Sequence, residues 1–161
     1  MQQEKDLEVL GICNVLKDIV IKVTDEELVE LGISKGIMHL VSEEQQQKLL
    51  DIFENRDKKV EMGGSGPNII RTLSVLGQKV SQAGMVGSDY YGDLYLERVK
   101  ELGIKNNIRR ASVGSTGTSI ILITPDGERT MNTCLGMSRN YSTADIPEED
   151  IAKSNYLLVT G

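Results

Sequence analysis

The sequence predicts an α/β fold: a doubly wound sheet with a smaller sheet appended to it. Three observations point there. Apolar runs of strand length alternate with amphipathic runs of helix length along the 161 residues, the pattern of crossover-connected strands. Further segments of strand period interrupt that alternation, and two of them flank Pro125-Asp126-Gly127, a hairpin signal. A glycine-rich segment, Gly63-Gly64-Ser65-Gly66-Pro67-Asn68, falls at a strand-to-helix junction, the kind of place where such folds bind ligands.

Taken in order, Leu7–Cys13 reads as a buried opening strand. Ile19, Ile21 and Val23 then share one face of an extended segment, with Val20 and Lys22 on the other. Thr24 with Glu27 forms a capping box for a short helix that Gly32 closes. A turn at Ser34-Lys35-Gly36 leads to a strand, Ile37–Val41. Ser42 with Gln45 caps a second helix reaching Glu54, whose apolar face is Leu49, Leu50 and Phe53. Lys58–Met62 is a short strand running into the glycines. Pro67 suits the first turn of the helix behind them, with Ile69, Ile70, Leu73 and Leu76 at helical spacing and Gly77 as the stop. Lys79–Val86 is a strand, Tyr91–Leu102 a helix with Leu94, Val99 and Leu102 apolar, and Ile104–Val113 extended. Thr118–Thr124 and Glu128–Leu135 form the hairpin. Pro147–Ala152 is a brief helix, and Asn155–Thr160 a strand. In α/β folds the active loops follow the carboxyl ends of strands, so a hydrophobic strand ending the chain reads as a domain cut there.

Composition narrows the function. The hydrophobic fraction is 39% and the charged fraction 26%, enough apolar material for one core. Eighteen Lys and Arg against 24 Asp and Glu give a net charge of −6, unsuited to neutralising nucleic-acid phosphates. With five Tyr, one Phe and no Trp, base-stacking platforms are excluded. No apolar run approaches the ~20 residues of a membrane span. The polar, mixed-charge start MQQEKDLE is neither a signal peptide nor a basic transit segment. Cys13 and Cys134, both in apolar stretches, read as reduced, buried thiols of a cytoplasmic protein. With His39 they are too few for a structural zinc site. His39 alternates with apolar neighbours and reads as a strand-face residue. One histidine and no Gly-x-Ser-x-Gly elbow argue against a Ser-His-Asp hydrolase.

Two features carry chemistry. Three glycines in the Gly63–Gly66 stretch clear side chains from a ligand's approach to backbone, and the helix start behind them offers free N–H groups. The same pattern also fits a ligand-free tight turn. It lacks the Lys-Ser/Thr of a Walker A loop and the spacing of a dinucleotide fingerprint. Asn14 and Asp18 follow the first strand. A carboxylate there suits a sugar's vicinal hydroxyls, since an ionised acceptor bonds more strongly than a neutral one. Alone, Asp18 reads more readily as an exposed turn or edge-strand charge.

Gly63-Gly64-Ser65-Gly66-Pro67-Asn68, then Gly77 and, after nine intervening residues, Gly87, resembles the first signature of the PfkB (ribokinase-like) carbohydrate kinases, with Ile70 where that pattern has a small residue. The opening GICNVLKDI resembles the start of the adenosine kinase-like branch. Thr116-Gly117-Thr118-Ser119 with PDGERTMNTCLG resembles that branch's lid hairpin. The match runs from about Leu7 to Gly161.

The resemblance implies a ribokinase-like three-layer α/β fold with a small β-sheet lid, its lid strands at about 15–23, 37–41 and 116–136. It implies an ATP- and Mg²⁺-dependent kinase phosphorylating the hydroxymethyl group of a small-molecule nucleoside or sugar. Asn14 and Asp18 would hold ribose hydroxyls, Gly63, Gly64, Ser65 and Asn68 would complete the sugar site, and Leu40, Ser119, Met131 and Thr133 would cover the substrate. Arg129 stands where the family often has a basic residue near the transferred phosphoryl. Neither Gly-Ala-Gly-Asp nor Asn-x-x-Glu occurs, so residues 1–161 are expected to be the N-terminal part of such a domain, without its catalytic base, metal motif and nucleotide-binding half, and inactive alone. An adenosine kinase-like enzyme, another sugar kinase of ribokinase or fructokinase type, and a non-catalytic sugar-binding module all stay open. A lid sheet with an exposed apolar face would favour a homodimer through that sheet.

Overall fold

A computed structural model describes residues 5–161. The first four residues, part of the stretch read above as neither signal nor transit segment, lie outside the described residues. The elements run β1 (Leu7–Cys13), β2 (Leu16–Lys22), α1 (Asp25–Glu30), β3 (Met38–Leu40), α2 (Glu43–Ile52), β4 (Lys59–Gly63), α3 (Ser65–Val75), β5 (Val80–Val86), α4 (Tyr90–Glu101), β6 (Lys105–Arg110), β7 (Thr116–Ile123), β8 (Arg129–Gly136), α5 (Glu148–Lys153) and β9 (Ser154–Thr160). Two 3-10 turns, Met137–Asn140 and Thr143–Asp145, which the sequence did not announce, separate β8 from α5.

The strands form two sheets. The central sheet has order β6-β5-β1-β9 and is parallel throughout. The lid sheet has order β3-β8-β7-β2-β4 and is mixed: β7 pairs with β8 antiparallel and with β2 parallel. The expected separation therefore holds: β9 lies beside β1, and the β7–β8 hairpin belongs to the other sheet. The lid is wider than the three expected segments, because β4 pairs antiparallel with β2, placing Glu61 opposite Asp18. Strand period marked Lys58–Met62 as a strand but carried nothing about its partner.

Each sheet has its own core. In the centre, Ile70 of α3 and Tyr95 and Val99 of α4 pack with Val80, Val86 and Ile108. In the lid, Ile19, Ile21, Val23, Ile120 and Leu122 pack against Leu28 of α1, Leu49 of α2 and Phe53. Both expected capping boxes, Thr24/Glu27 and Ser42/Gln45, are present. Gln46 seals the junction: its amide donates to the Thr118 and Asn132 carbonyls at 3.0 and 3.2 Å. One apolar face of the lid is thus covered within the chain by α1 and α2, while Met38 and Leu40 on the lid are exposed.

Other differences are local. The α2 helix stops at Ile52, two residues short of the expected end, and Phe53 is its buried C-cap. In α3 the buried stripe is Gly66, Pro67 and Ile70. Ile69 and Leu76, seven residues apart, share a different stripe and are exposed. In α4 the buried stripe is Gly92, Tyr95 and Val99, not one through Leu94. On β9, Tyr156, Leu157 and Val159 are exposed.

Candidate functional site

The chain crosses between the sheets at the carboxyl end of β1, and there the candidate residues meet. A cavity of about 540 Å³ lies between the start of α3 and the inner face of the lid. Of the residues singled out in the sequence, Asn14, Asp18, Leu40, Gly64, Ser65, Asn68, Ser119, Arg129, Met131 and Thr133 line it. Gly63 does not line it but shapes it. A Cβ at Gly63 would stand 2.0 Å from Asp18 Oδ1 and 2.4 Å from Cγ, so only glycine lets the Asp18 carboxylate lie against β4. Gly64 has φ of 87°, a left-handed conformation that side chains resist. A Cβ at Gly66 would meet Thr160 Oγ1 at 2.4 Å and Cys13 Sγ at 2.5 Å, so this glycine lets α3 start hard against the ends of β1 and β9.

The α3 helix begins with Gly64 as N-cap, no capping side chain and no acidic residue in its first turn. Its terminal N–H groups therefore lack side-chain partners. Asn68 Oδ1 is buried with no hydrogen-bond partner among the described residues. A buried acceptor without a donor is costly, and one lining a cavity is suited to a ligand donor. The Asp18 carboxyl is raised above its usual range, chiefly by burial, against the lowering influence of Arg129, Arg71 and Lys17; Glu61 adds to the rise. Across the cavity, Ser119 and Thr133 hydroxyls pair at 2.8 Å.

Leu16, Met38, Ile121 and Leu135 also line the cavity and were not singled out in the sequence. Their signal was available. Leu16 with Asp18, Met38 with Leu40, Ser119 with Ile121, and Arg129 with Met131, Thr133 and Leu135 all follow the two-residue period of one strand face. The lid thus offers a largely apolar wall, while β1, β2 and α3 supply the polar groups.

Two side-chain clips fix the crossings. Ser138 Oγ accepts from Val15 N–H at 3.0 Å and lies 2.9 and 3.1 Å from the carbonyls of Val15 and Met85, donating its one proton between them. Asp89 caps α4 through Gly92 N–H at 3.0 Å and accepts from the N–H and hydroxyl of Thr116 at 2.9 and 2.5 Å. Asp89 and Asp93 are thereby occupied: one holds the lid's entry strand, and the other pairs with Arg110. Asp126 sits in the β7–β8 turn and pairs with Lys35 at 2.6 Å.

A larger depression of about 770 Å³ lies between α4 and the start of β6. It is an open surface away from the carboxyl ends of the strands. Among the described residues, no three His, Cys, Asp or Glu side chains converge as a metal site would need. Asp18 is the one carboxylate lining the 540 Å³ cavity, and Arg129 its single cationic side chain.

A parallel α/β sheet carrying a separate β-lid, with a carboxylate, an amide and a helix start facing an apolar lid wall, defines a lidded small-molecule-binding fold of the sugar-kinase class. The chain belongs to the pfkB family of carbohydrate kinases, whose family model matches residues 25–161. It is 30% identical to the ribokinase of Schizosaccharomyces pombe over 104 residues, 60% of this chain and 33% of that protein. The adenosine kinase of Sinorhizobium meliloti superposes with a TM-score of 0.87 at 28% identity, over 95% of this chain and 46% of that one. A probable sugar kinase of Rhizobium etli superposes with a TM-score of 0.88 at 26% identity, over 96% and 47%. The chain thus spans about a third of the ribokinase and just under half of the two solved kinases.

Proposed function

We propose that this chain forms the acceptor-binding part of a kinase that phosphorylates the hydroxymethyl group of a nucleoside, adenosine being the first candidate. The observation that carries this reading is the pairing of Asp18 with the wall opposite it. The Asp18 carboxylate has no hydrogen-bond donor among the described residues and lies against Gly63, open to the cavity. An ionised carboxylate so placed accepts from two vicinal hydroxyls of a ribose, and Asn68 Oδ1 takes a third donor. Leu16, Met38, Leu40, Ile121, Met131 and Leu135 then face the rest of the ligand. A bare sugar leaves that apolar wall uncovered, whereas an aromatic base covers it. The likeness to the Sinorhizobium meliloti adenosine kinase supports the same choice. A ribokinase- or fructokinase-type acceptor is the second reading, favoured by the identity to the yeast ribokinase.

Phosphoryl transfer is largely positioning and charge stabilisation. Asp18 and Asn68 fix the sugar so that its hydroxymethyl oxygen can attack the γ-phosphorus of ATP, with ADP leaving. The lid wall excludes water, which would otherwise accept the phosphoryl group. Arg129 brings positive charge to the cavity. Mg²⁺ would neutralise phosphate charge, but no residue here is assigned to it. The proton of the attacking hydroxyl needs a base, a role worth roughly 10²–10⁴-fold. The motif that supplies one in the resembling family does not occur here, so the chain alone is proposed to bind acceptor without turning it over.

Binding is the direct test. Asp18→Ala is expected to weaken adenosine binding by about 1.5–3 kcal/mol, the worth of hydrogen bonds to a charged group, and Asp18→Asn by less, measured by calorimetry. Gly63→Ala should match Asp18→Ala, because the new methyl displaces the carboxylate. An unchanged affinity in Asp18→Ala would overturn the site. Turnover by the purified chain with ATP and Mg²⁺, above a heat-killed control, would overturn the proposed inactivity.

A further inference from the structure

The apolar wall of the lid has a polar pair set into it. Strand register places Asp18 of β2 beside Ser119 of β7, Ser119 beside Thr133 of β8, and Thr133 beside Leu40 of β3. All four line the acceptor cavity, so they form one row across the lid. Measured along that row, Ser119 lies one strand spacing, about 5 Å, and Thr133 two, about 10 Å, from Asp18. The rows on either side are apolar where they line the cavity. Ile121 and Met131 stand on one side, and Leu16 and Leu135 on the other.

The Ser119 and Thr133 hydroxyls lie 2.8 Å apart, and neither makes another hydrogen bond among the described residues. Both residues are buried, 4% and 7% exposed. Each hydroxyl carries one proton. One of the two protons makes the bond between them, so the other has no acceptor among the described residues, whichever oxygen donates. Thr116 and Thr118, equally buried on the same strand, donate within the chain to Asp89 and Gln46. A buried donor left without an acceptor costs free energy, and this one borders the cavity.

We propose that the Ser119–Thr133 pair is a specificity determinant that donates its free proton to a ring nitrogen in the base of a nucleoside held at Asp18. The proposal rests on the nucleoside reading of the cavity and deepens it. With the ribose diol on Asp18, the group lying one to two strand spacings along the row is the base that the sugar carries. An O–H in the middle of an otherwise apolar wall favours a ligand that presents a lone pair there. A base with C–H at that position leaves the proton unpaired. The pair thus selects a nitrogen heterocycle over a carbon ring of the same size, because a site built to bond a polar atom rejects the analogue that lacks it.

The test is calorimetric binding of adenosine and of analogues in which one ring nitrogen of the base at a time is replaced by C–H. The wild-type chain should bind at least one analogue about three- to tenfold more weakly than adenosine, the worth of one neutral hydrogen bond. Ser119→Ala combined with Thr133→Val removes both hydroxyls and nearly keeps the shape of the wall, a replacement that can be close to neutral for folding. In that double variant the difference should disappear. Thr133→Ser keeps both hydroxyls and should keep the difference. A wild type that binds every analogue as tightly as adenosine would overturn the proposal, and this arm needs no variant to fold. So would differences that all persist in the double variant, or a loss confined to deoxyadenosine, which would assign the pair to the sugar. Asp18→Ala is read alongside. If adenosine binds through Asp18 and the analogues bind equally, the proposal alone fails; if adenosine does not bind at all, the nucleoside reading fails with it.

Discussion

The two sheets solve the same problem differently. In the central sheet, β5 lies between two parallel neighbours and is buried along nearly its whole length, as parallel strands flanked by helices are. In the lid, β2 alternates: Lys17, Ile19 and Ile21 turn away from the cavity, while Leu16 and Asp18 line it. One lid face is sealed by α1 and α2, and the other is left for a ligand. The comparison teaches that the central layer is built for packing and the lid for division of labour between its faces. Glycines do the joining. Gly63 and Gly64 stand where β4 hands over to α3, and each admits a close approach that a side chain would block.

The largest effect should come from breaking one core and sparing the other. Ile70→Ala removes a fully buried side chain from the central cluster. It should cost about 2–5 kcal/mol, read from the urea midpoint. Ile120→Ala is the lid counterpart. If the sheets are separable cooperative units, its loss of amide-exchange protection should be confined to β2, β7 and β8. Equal loss of protection in β1 and β5 would show that the sheets unfold as one.

Asp89→Ala tests the clip between the sheets. It removes three hydrogen bonds, one of them the cap of α4. An expected cost of about 1.5–3 kcal/mol follows from the loss of bonds to a charged group, with exchange rising first at Thr116 and Gly117. A variant as stable as wild type would remove Asp89 from this role.

Asp18→Asn separates function from stability. Burial holds the Asp18 carboxyl above its usual range, so the folded, ligand-free chain binds that proton more tightly than the unfolded chain does. The ionised form therefore opposes folding once pH rises above the unfolded value, and the penalty is complete above the folded one. The amide escapes it. The variant should melt higher than wild type at about pH 7, and the gap should close towards about pH 3, where Asp18 is protonated in both states. A gap independent of pH would contradict a desolvated carboxylate. The smallest effect is expected from Thr24→Ala, which removes a capping box from a short lid helix. It should cost about 1 kcal/mol by thermal unfolding, with the shape of the central sheet's exchange profile unchanged.

Much of the molecule was legible in the sequence because its signals are local. Period two named the strands, Thr24/Glu27 and Ser42/Gln45 named two helix starts, and Pro125-Asp126-Gly127 named the hairpin. Gly63–Asn68 marked the ligand loop, and most of the residues expected around it line one cavity. What sequence reading missed concerns partners. The polar Lys59–Gly63 strand could not declare that it pairs with β2. Tyr95, fully buried with its hydroxyl accepting from Gln82 at 2.7 Å, did not stand out from its tyrosine neighbours. Local chemistry, the φ a glycine permits and the donor a threonine caps, is fixed by residues a few positions apart, so the sequence alone determined it. The coverage of the lid by α1 and α2 and the seating of Asp18 on Gly63 join residues tens of positions apart. Only the tertiary structure decided these, because burial and pairing depend on which surfaces the folded chain brings together.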